Sequence, residues 1–91
     1  MKNLIFIMLV KNTRKVTKEM IAETSKRMRK MSKEGIKVID IYWTLGRYDG
    51  VFIFEAPNEK AAMKAGIESA ETAKTETLVA IPREEAIKLL D

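Results

Sequence analysis

The spacing of apolar residues changes along the chain, and each change marks a predicted element. Residues 4–10, Leu-Ile-Phe-Ile-Met-Leu-Val, form an uninterrupted apolar run of strand length, rich in β-formers. Thr13 or Thr17 then supplies a helix N-cap. From there to Glu34 the period becomes helical. Met20, Thr24, Met28 and Met31, with Ile21 alongside, make one stripe, while Lys18, Lys26, Arg29 and Lys33 lie on another face. Gly35 follows at a position where helices commonly stop. Residues 36–45 read as a second strand and residues 51–56 as a third. The glycine-bracketed turn Gly46-Arg47-Tyr48-Asp49-Gly50 joins them into a hairpin. Asn58 caps a second helix, with Glu59 in its first turn and an inner stripe of Ala62, Met63, Gly66, Ile67 and Ala70. Residues 74–81 form a fourth strand with alternating Thr75, Thr77 and Val79, and Pro82 opens a short helix reaching Leu90.

The order β-α-β-β-α-β plus a terminal helix predicts an α+β fold of ferredoxin-like topology, one domain over residues 1–91. Its strands are apolar on both faces. Leu4, Phe6 and Met8 point one way; Ile5, Ile7 and Leu9 point the other. In the hairpin, Ile39, Ile41 and Trp43 share a face, and Ile36, Val38 and Tyr42 share the opposite one. Two helices cover only one face of such a sheet, and a solvated second face should alternate with polar residues. A second copy of the chain is the simplest cover, so a homodimer is expected, with stacking of dimers into larger rings open. The terminal helix, with Ala86, Ile87 and Leu90, is a rival cover but a short one.

Composition narrows the chemistry. The chain has neither cysteine nor histidine. Disulfides, thiolate metal sites, the usual zinc ligands and the commonest general base at neutral pH are therefore excluded. No metal and no cofactor is expected. Lysine and glutamate abound while glutamine is lacking, a balance found in hyperthermophile proteins. The first apolar run follows a lone Lys2, is too short to span a bilayer, and leads into Lys11-Asn12-Thr13-Arg14-Lys15 with no cleavage site. A cytoplasmic protein without a membrane partner is the expectation.

A net charge of +4, concentrated in the first helix, raises nucleic acid as a partner. No aromatic residue is interleaved with those charges, and Glu23 stands one turn before Arg27 as a pairing partner. A solvated helix face is the better reading. The hairpin is the richer site. Tyr42, Thr44, Arg47, Tyr48 and Asp49 fall within a short span and are the predicted ligand-binding residues. Arg47 suits a carboxylate or phosphate, and Tyr48 and Asp49 suit orienting a ligand or moving a proton. Each also has a structural reading, Asp49 above all as a turn residue bonding backbone amides. No catalytic residue is assigned.

Tyr42-Trp43-Thr44-Leu45-Gly46-Arg47-Tyr48-Asp49, then Glu55-Ala56-Pro57, then Thr75-Glu76-Thr77-Leu78, resemble the GYD family of small α/β proteins. The signature is Gly-x-Tyr-Asp, here Gly46, Tyr48 and Asp49. The resemblance implies a dimeric α+β barrel in which two ferredoxin-like sheets pack face to face. The chain departs from the family pattern at residues 69–74, Ser-Ala-Glu-Thr-Ala-Lys, where a glycine is expected. More loosely, the turn resembles one in the effector-binding domain of the feast/famine transcription regulators, which bind amino acids between subunits. The leading functional expectation is a small-molecule-binding homodimer, a regulatory or sensor module. The alternatives are a metal-free enzyme of the dimeric barrel type, monooxygenase or isomerase, and behind it a nucleic-acid-binding module.

Overall fold

The predicted apolar run becomes β1 (Leu4–Asn12), which lies inside the sheet between β3 (Gly50–Ala56) and β4 (Ala73–Ala80) and runs antiparallel to both. β2 (Lys37–Trp43) adds to the outer side of β3, giving the order β2-β3-β1-β4. The computed structural model describes residues 3–90. Met1, Lys2 and Asp91, and with them the outermost positions of the expected 1–91 domain, lie outside the described residues.

Helix α1 (Lys18–Lys33) starts at Thr17 rather than Thr13. The Thr17 hydroxyl oxygen accepts the Met20 amide hydrogen at 3.1 Å, satisfying one of the donors a helix start leaves orphaned. Its other end closes by a Schellman motif. The Ile36 amide donates to Met31 O and the Gly35 amide to Ser32 O, with Gly35 at φ +93°, where a side chain would be strained. Helix α2 (Glu59–Ser69) is capped by Asn58, whose Oδ1 accepts from the Ala61 amide. It passes into β4 without the glycine that the family pattern favours. The Thr72 amide donates to Ser69 O, Thr13 N–H donates to Thr72 O, and only glycines take positive φ among the described residues.

Both helices cover the same face of the sheet. Phe6, Met8, Phe54 and Ala56 are buried there against Met31, Ala62 and Ala65. Phe6 and Phe54 stack with ring centroids 5.5 Å apart, and Phe52 continues the stack at 4.9 Å. Lys64 ties α2 to the end of α1 through Glu34, and Lys30 reaches Glu68 at 3.7 Å. The Lys64 hydrogen bond holds the Glu34 carboxyl below its ordinary pKa and raises that of Lys64.

Two readings of side-chain placement need correction. The register shifts between Val38 and Asp40, so Ile39 sits in a β-bulge without a paired residue. The bulge puts Val38 and Ile41 on the same face, paired with Phe54 and Phe52, instead of on opposite faces. In α2 the buried positions are Ala62 and Ala65, while Met63 and Ile67 are exposed. Small alanines let the helix settle close on the sheet, and the larger side chains move to its margin over β4, beside Val79.

Past β4 the chain forms α3 (Arg83–Ile87) and a single 3-10 turn, Lys88–Leu90. Neither contains a buried residue, and Ile87, Leu89 and Leu90 stay exposed. This terminal segment does not cover the second face of the sheet.

Candidate functional site

The uncovered face can be followed row by row through the strand register. Tyr42, Val51, Leu9 and Glu76 form one row across the four strands. Asp40, Ile53, Ile7 and Leu78 form the next, and Lys37, Glu55, Ile5 and Ala80 the third. The middle of the first two rows is apolar, whereas in the third Glu55 on β3 stands beside Ile5. The other charged residues, Lys37, Asp40 and Glu76, stand at the margins, two of them on β2. None of these side chains is packed by a helix of the same chain, yet the centre is aliphatic, the arrangement of an interface with a polar rim.

One end of this face is closed by the turn between β2 and β3, where the predicted site residues lie. Gly46 takes φ +107°, which permits the reversal. Gly50 is set close for a different reason: a Cβ there would crowd the Tyr42 carbonyl oxygen at 3.3 Å. Thr44 and Asp49 face each other across the turn. The Thr44 amide donates to Asp49 O at 2.9 Å, and the Thr44 hydroxyl donates to Tyr48 O at 2.7 Å. The Asp49 amide donates to Val10 O at 2.7 Å, and its carboxylate Oδ2 accepts the Asn12 amide hydrogen at 2.8 Å. Lys11 Nζ stands 3.6 Å from Asp49 Oδ1. Asp49 is thus a clasp between the turn and the end of β1, and Thr44 braces the turn from within.

Tyr48 and Arg47 do something else. The Tyr48 hydroxyl donates to Glu76 Oε2 at 2.9 Å, crossing from the turn to β4 over the end of the open face. That hydrogen bond, together with partial burial, raises the Tyr48 pKa above its ordinary value despite the nearby Arg47 charge. The phenol therefore keeps its proton at neutral pH and acts as a donor. The Arg47 guanidinium lies over the Tyr48 ring, 5.5 Å from its centroid, with its hydrogen-bond donors turned to no carboxylate among the described residues. Tyr42 is exposed on the adjoining row. The five predicted residues are brought to one end of the sheet. Tyr42 stands on the open face there and Tyr48 reaches Glu76 over its end with Arg47 against its ring, while Thr44 and Asp49 spend their polar groups on the backbone.

Lys11, Asn12 and Glu76 complete the arrangement, and sequence reasoning assigned them no place in it. Glu76 had a signal, standing inside the Thr-Glu-Thr segment that accompanies the turn motif. No group of three or more potential metal ligands gathers among the described residues.

On the other side of the sheet a cleft of about 510 Å³ opens between α1 and the strands. Met8, Met20, Met28 and Met31 line it with Phe52, Ile41 and Trp43, and Tyr42, Thr44 and Asp49 border one end.

A family model of the GYD domain matches residues 6–90. The chain belongs to the GYD family. The match takes in all four strands, both main helices and the clasped turn, so the Gly46, Tyr48 and Asp49 of the GYD signature here serve a reversal, a cross-sheet hydrogen bond and a backbone anchor. Among solved structures, LrpC of B. subtilis superposes with a TM-score of 0.63 over 88% of this chain and 51% of that one, at 12% identity. The likeness is one of fold, ferredoxin-like in both, and the GYD chain spans about half the length of LrpC. No curated protein matches the sequence. No helix among the described residues is long and apolar enough to cross a membrane.

Proposed function

We propose that this GYD protein is a homodimeric sensor module that binds a small anionic molecule at the rim of two paired sheets. The observation that carries the reading is the open sheet face, with aliphatic residues at its centre and Tyr42, Arg47, Tyr48 and Glu76 at one end. Pairing two such faces removes the apolar rows from water and leaves the polar end lining the entrance to the space between them. The ferredoxin-like fold shared with LrpC and the membership of the GYD family are consistent with a small regulatory domain. Binding is favoured over catalysis. Asp49 is held by Asn12 N–H and Lys11, and Tyr48 keeps its proton, so neither is poised to accept one from a substrate.

Sedimentation at micromolar concentration should give a dimer or larger, and the melting temperature should rise with protein concentration. A monomer with a concentration-independent melt overturns the assembly. For the site, a thermal-shift panel of amino acids and 2-oxo acids should contain compounds that raise the melting temperature. Arg47→Ala should abolish that rise while leaving the unliganded melt unchanged, because Arg47 is exposed and forms no ion pair among the described residues. Stabilisation that survives Arg47→Ala places the ligand elsewhere.

A further inference from the structure

The cleft beneath α1 has features of its own. It lies on the helix-covered side of the sheet, so it is open whether or not the other face is paired. Its volume of about 510 Å³ falls in the range of small-molecule sites. Three methionines of α1, Met20, Met28 and Met31, face Met8 of β1 across it; unbranched and polarizable, they adapt to a flexible apolar guest. The cleft has one cationic side chain, Arg27, half-buried on α1. The Glu23–Arg27 pair expected from the sequence is not formed, and Arg27 has no ion-pair partner among the described residues. The carboxylate that also borders the cleft, Asp49, is already taken by Asn12 and Lys11. Trp43 lies at the cleft with 74% of its surface exposed, an apolar ring awaiting cover.

We infer that this cleft binds an apolar monocarboxylate of the fatty-acid class, its chain among Met8, Met20, Met28 and Met31 and its carboxylate on Arg27. An apolar groove with a single unpaired cation complements one anionic head on an apolar tail. A neutral or cationic amphiphile would leave the half-buried guanidinium unanswered or repelled.

The chain contains a single tryptophan, Trp43, which serves as the reporter. Full-length protein is titrated with decanoate, decanol and decyltrimethylammonium below their micelle concentrations while indole emission is followed. Decanoate should shift the emission to the blue with a saturable curve, and decanol should bind about tenfold more weakly. Arg27→Gln should bring decanoate to the level of decanol without changing decanol itself, and Arg27→Lys should restore part of the difference. Met28→Glu should weaken decanoate most of the three. The inference is overturned by an absent or unsaturable shift with decanoate, by equal binding of acid and alcohol, or by decanoate binding that Arg27→Gln leaves intact. It is overturned too if indole emission is already that of a buried ring in the free protein, since the cleft is then filled by a second copy of the chain. Sedimentation run alongside reports on the open-face dimer independently, so failure of either idea is distinguishable from failure of the other.

Discussion

Ile7→Glu should convert the protein from a dimer to a folded monomer. Ile7 stands in the central row of the open face, between Ile53 on β3 and Leu78 on β4. In a lone chain that position looks toward water, so a glutamate there is solvated and the helix-covered core built on Phe6, Met8 and Phe54 is untouched. In a face-to-face pair the same carboxylate enters an aliphatic interior with no partner. Desolvating it costs several kcal/mol, enough to weaken association by about a thousandfold or more. Sedimentation of the variant at micromolar concentration should give the monomer mass, with a melting temperature that no longer depends on concentration and lies below that of the wild type. Lys37→Glu is the control, because Lys37 lies on the margin of the same face on the edge strand β2. A rim charge changes association rate and salt dependence more than affinity. Wild-type sedimentation of Ile7→Glu would show that this face is not the contact.

The same face shows how far the sequence could be followed. Leu4 to Val10 alternate in the structure as the strand period dictates, with Phe6 and Met8 buried and Ile5, Ile7 and Leu9 on the uncovered side. That much needs only a period of two. The hairpin is less transparent, because one extra residue at Ile39 reverses the parity of everything before it, and the apolar residues Ile36, Val38, Ile39, Ile41, Tyr42 and Trp43 occupy both parities and so do not mark the bulge. Helix α2 fails for a related reason. Ala61, Ala62, Met63, Ala65, Gly66 and Ile67 are nearly all apolar, so periodicity does not choose a face, and the close fit of alanine against the sheet decides instead. The helix ends were readable because their signals are local. Thr17, Gly35 and Asn58 each act on atoms within five residues.

The site was readable as a location but not as a division of labour. Glycines at 46 and 50 announce the turn, and the residues between them are polar for reasons that depend on distant strands. Tyr48 meets Glu76 across a separation of 28 residues, and Asp49 meets Asn12 across 37. Only the pairing of β1 with both β3 and β4 brings those partners within reach. Which polar residues are left facing the open sheet is therefore a property of the topology.

Asp49→Ala should destabilise the protein, and Asp49→Asn should do so much less. The Asp49 carboxylate accepts the Asn12 backbone N–H at 2.8 Å in a part-buried setting. Alanine removes the acceptor and strands that donor at the end of β1, a loss of about 1–2 kcal/mol. The ion pair with Lys11 adds little, since its side chains are 52% and 36% exposed and solvent screens them. In a chain of this size each kcal/mol moves the melting temperature by roughly 4–8 °C, so the alanine variant should melt about 5–15 °C lower. Asparagine keeps an amide oxygen that can accept the same hydrogen and gives up only the screened charge, so its melt should stay within about 4 °C of wild type. The two substitutions thus separate an oxygen needed for its lone pair from one needed for its charge. Titration of the thermal-shift panel against both variants completes the test. A clasp predicts that ligand response follows the folded fraction in each, with Asp49→Asn binding as wild type. Equal, wild-type melts with binding lost in both would instead show a carboxylate reserved for the ligand, and the reading of Asp49 as the anchor between the turn and β1 would be wrong.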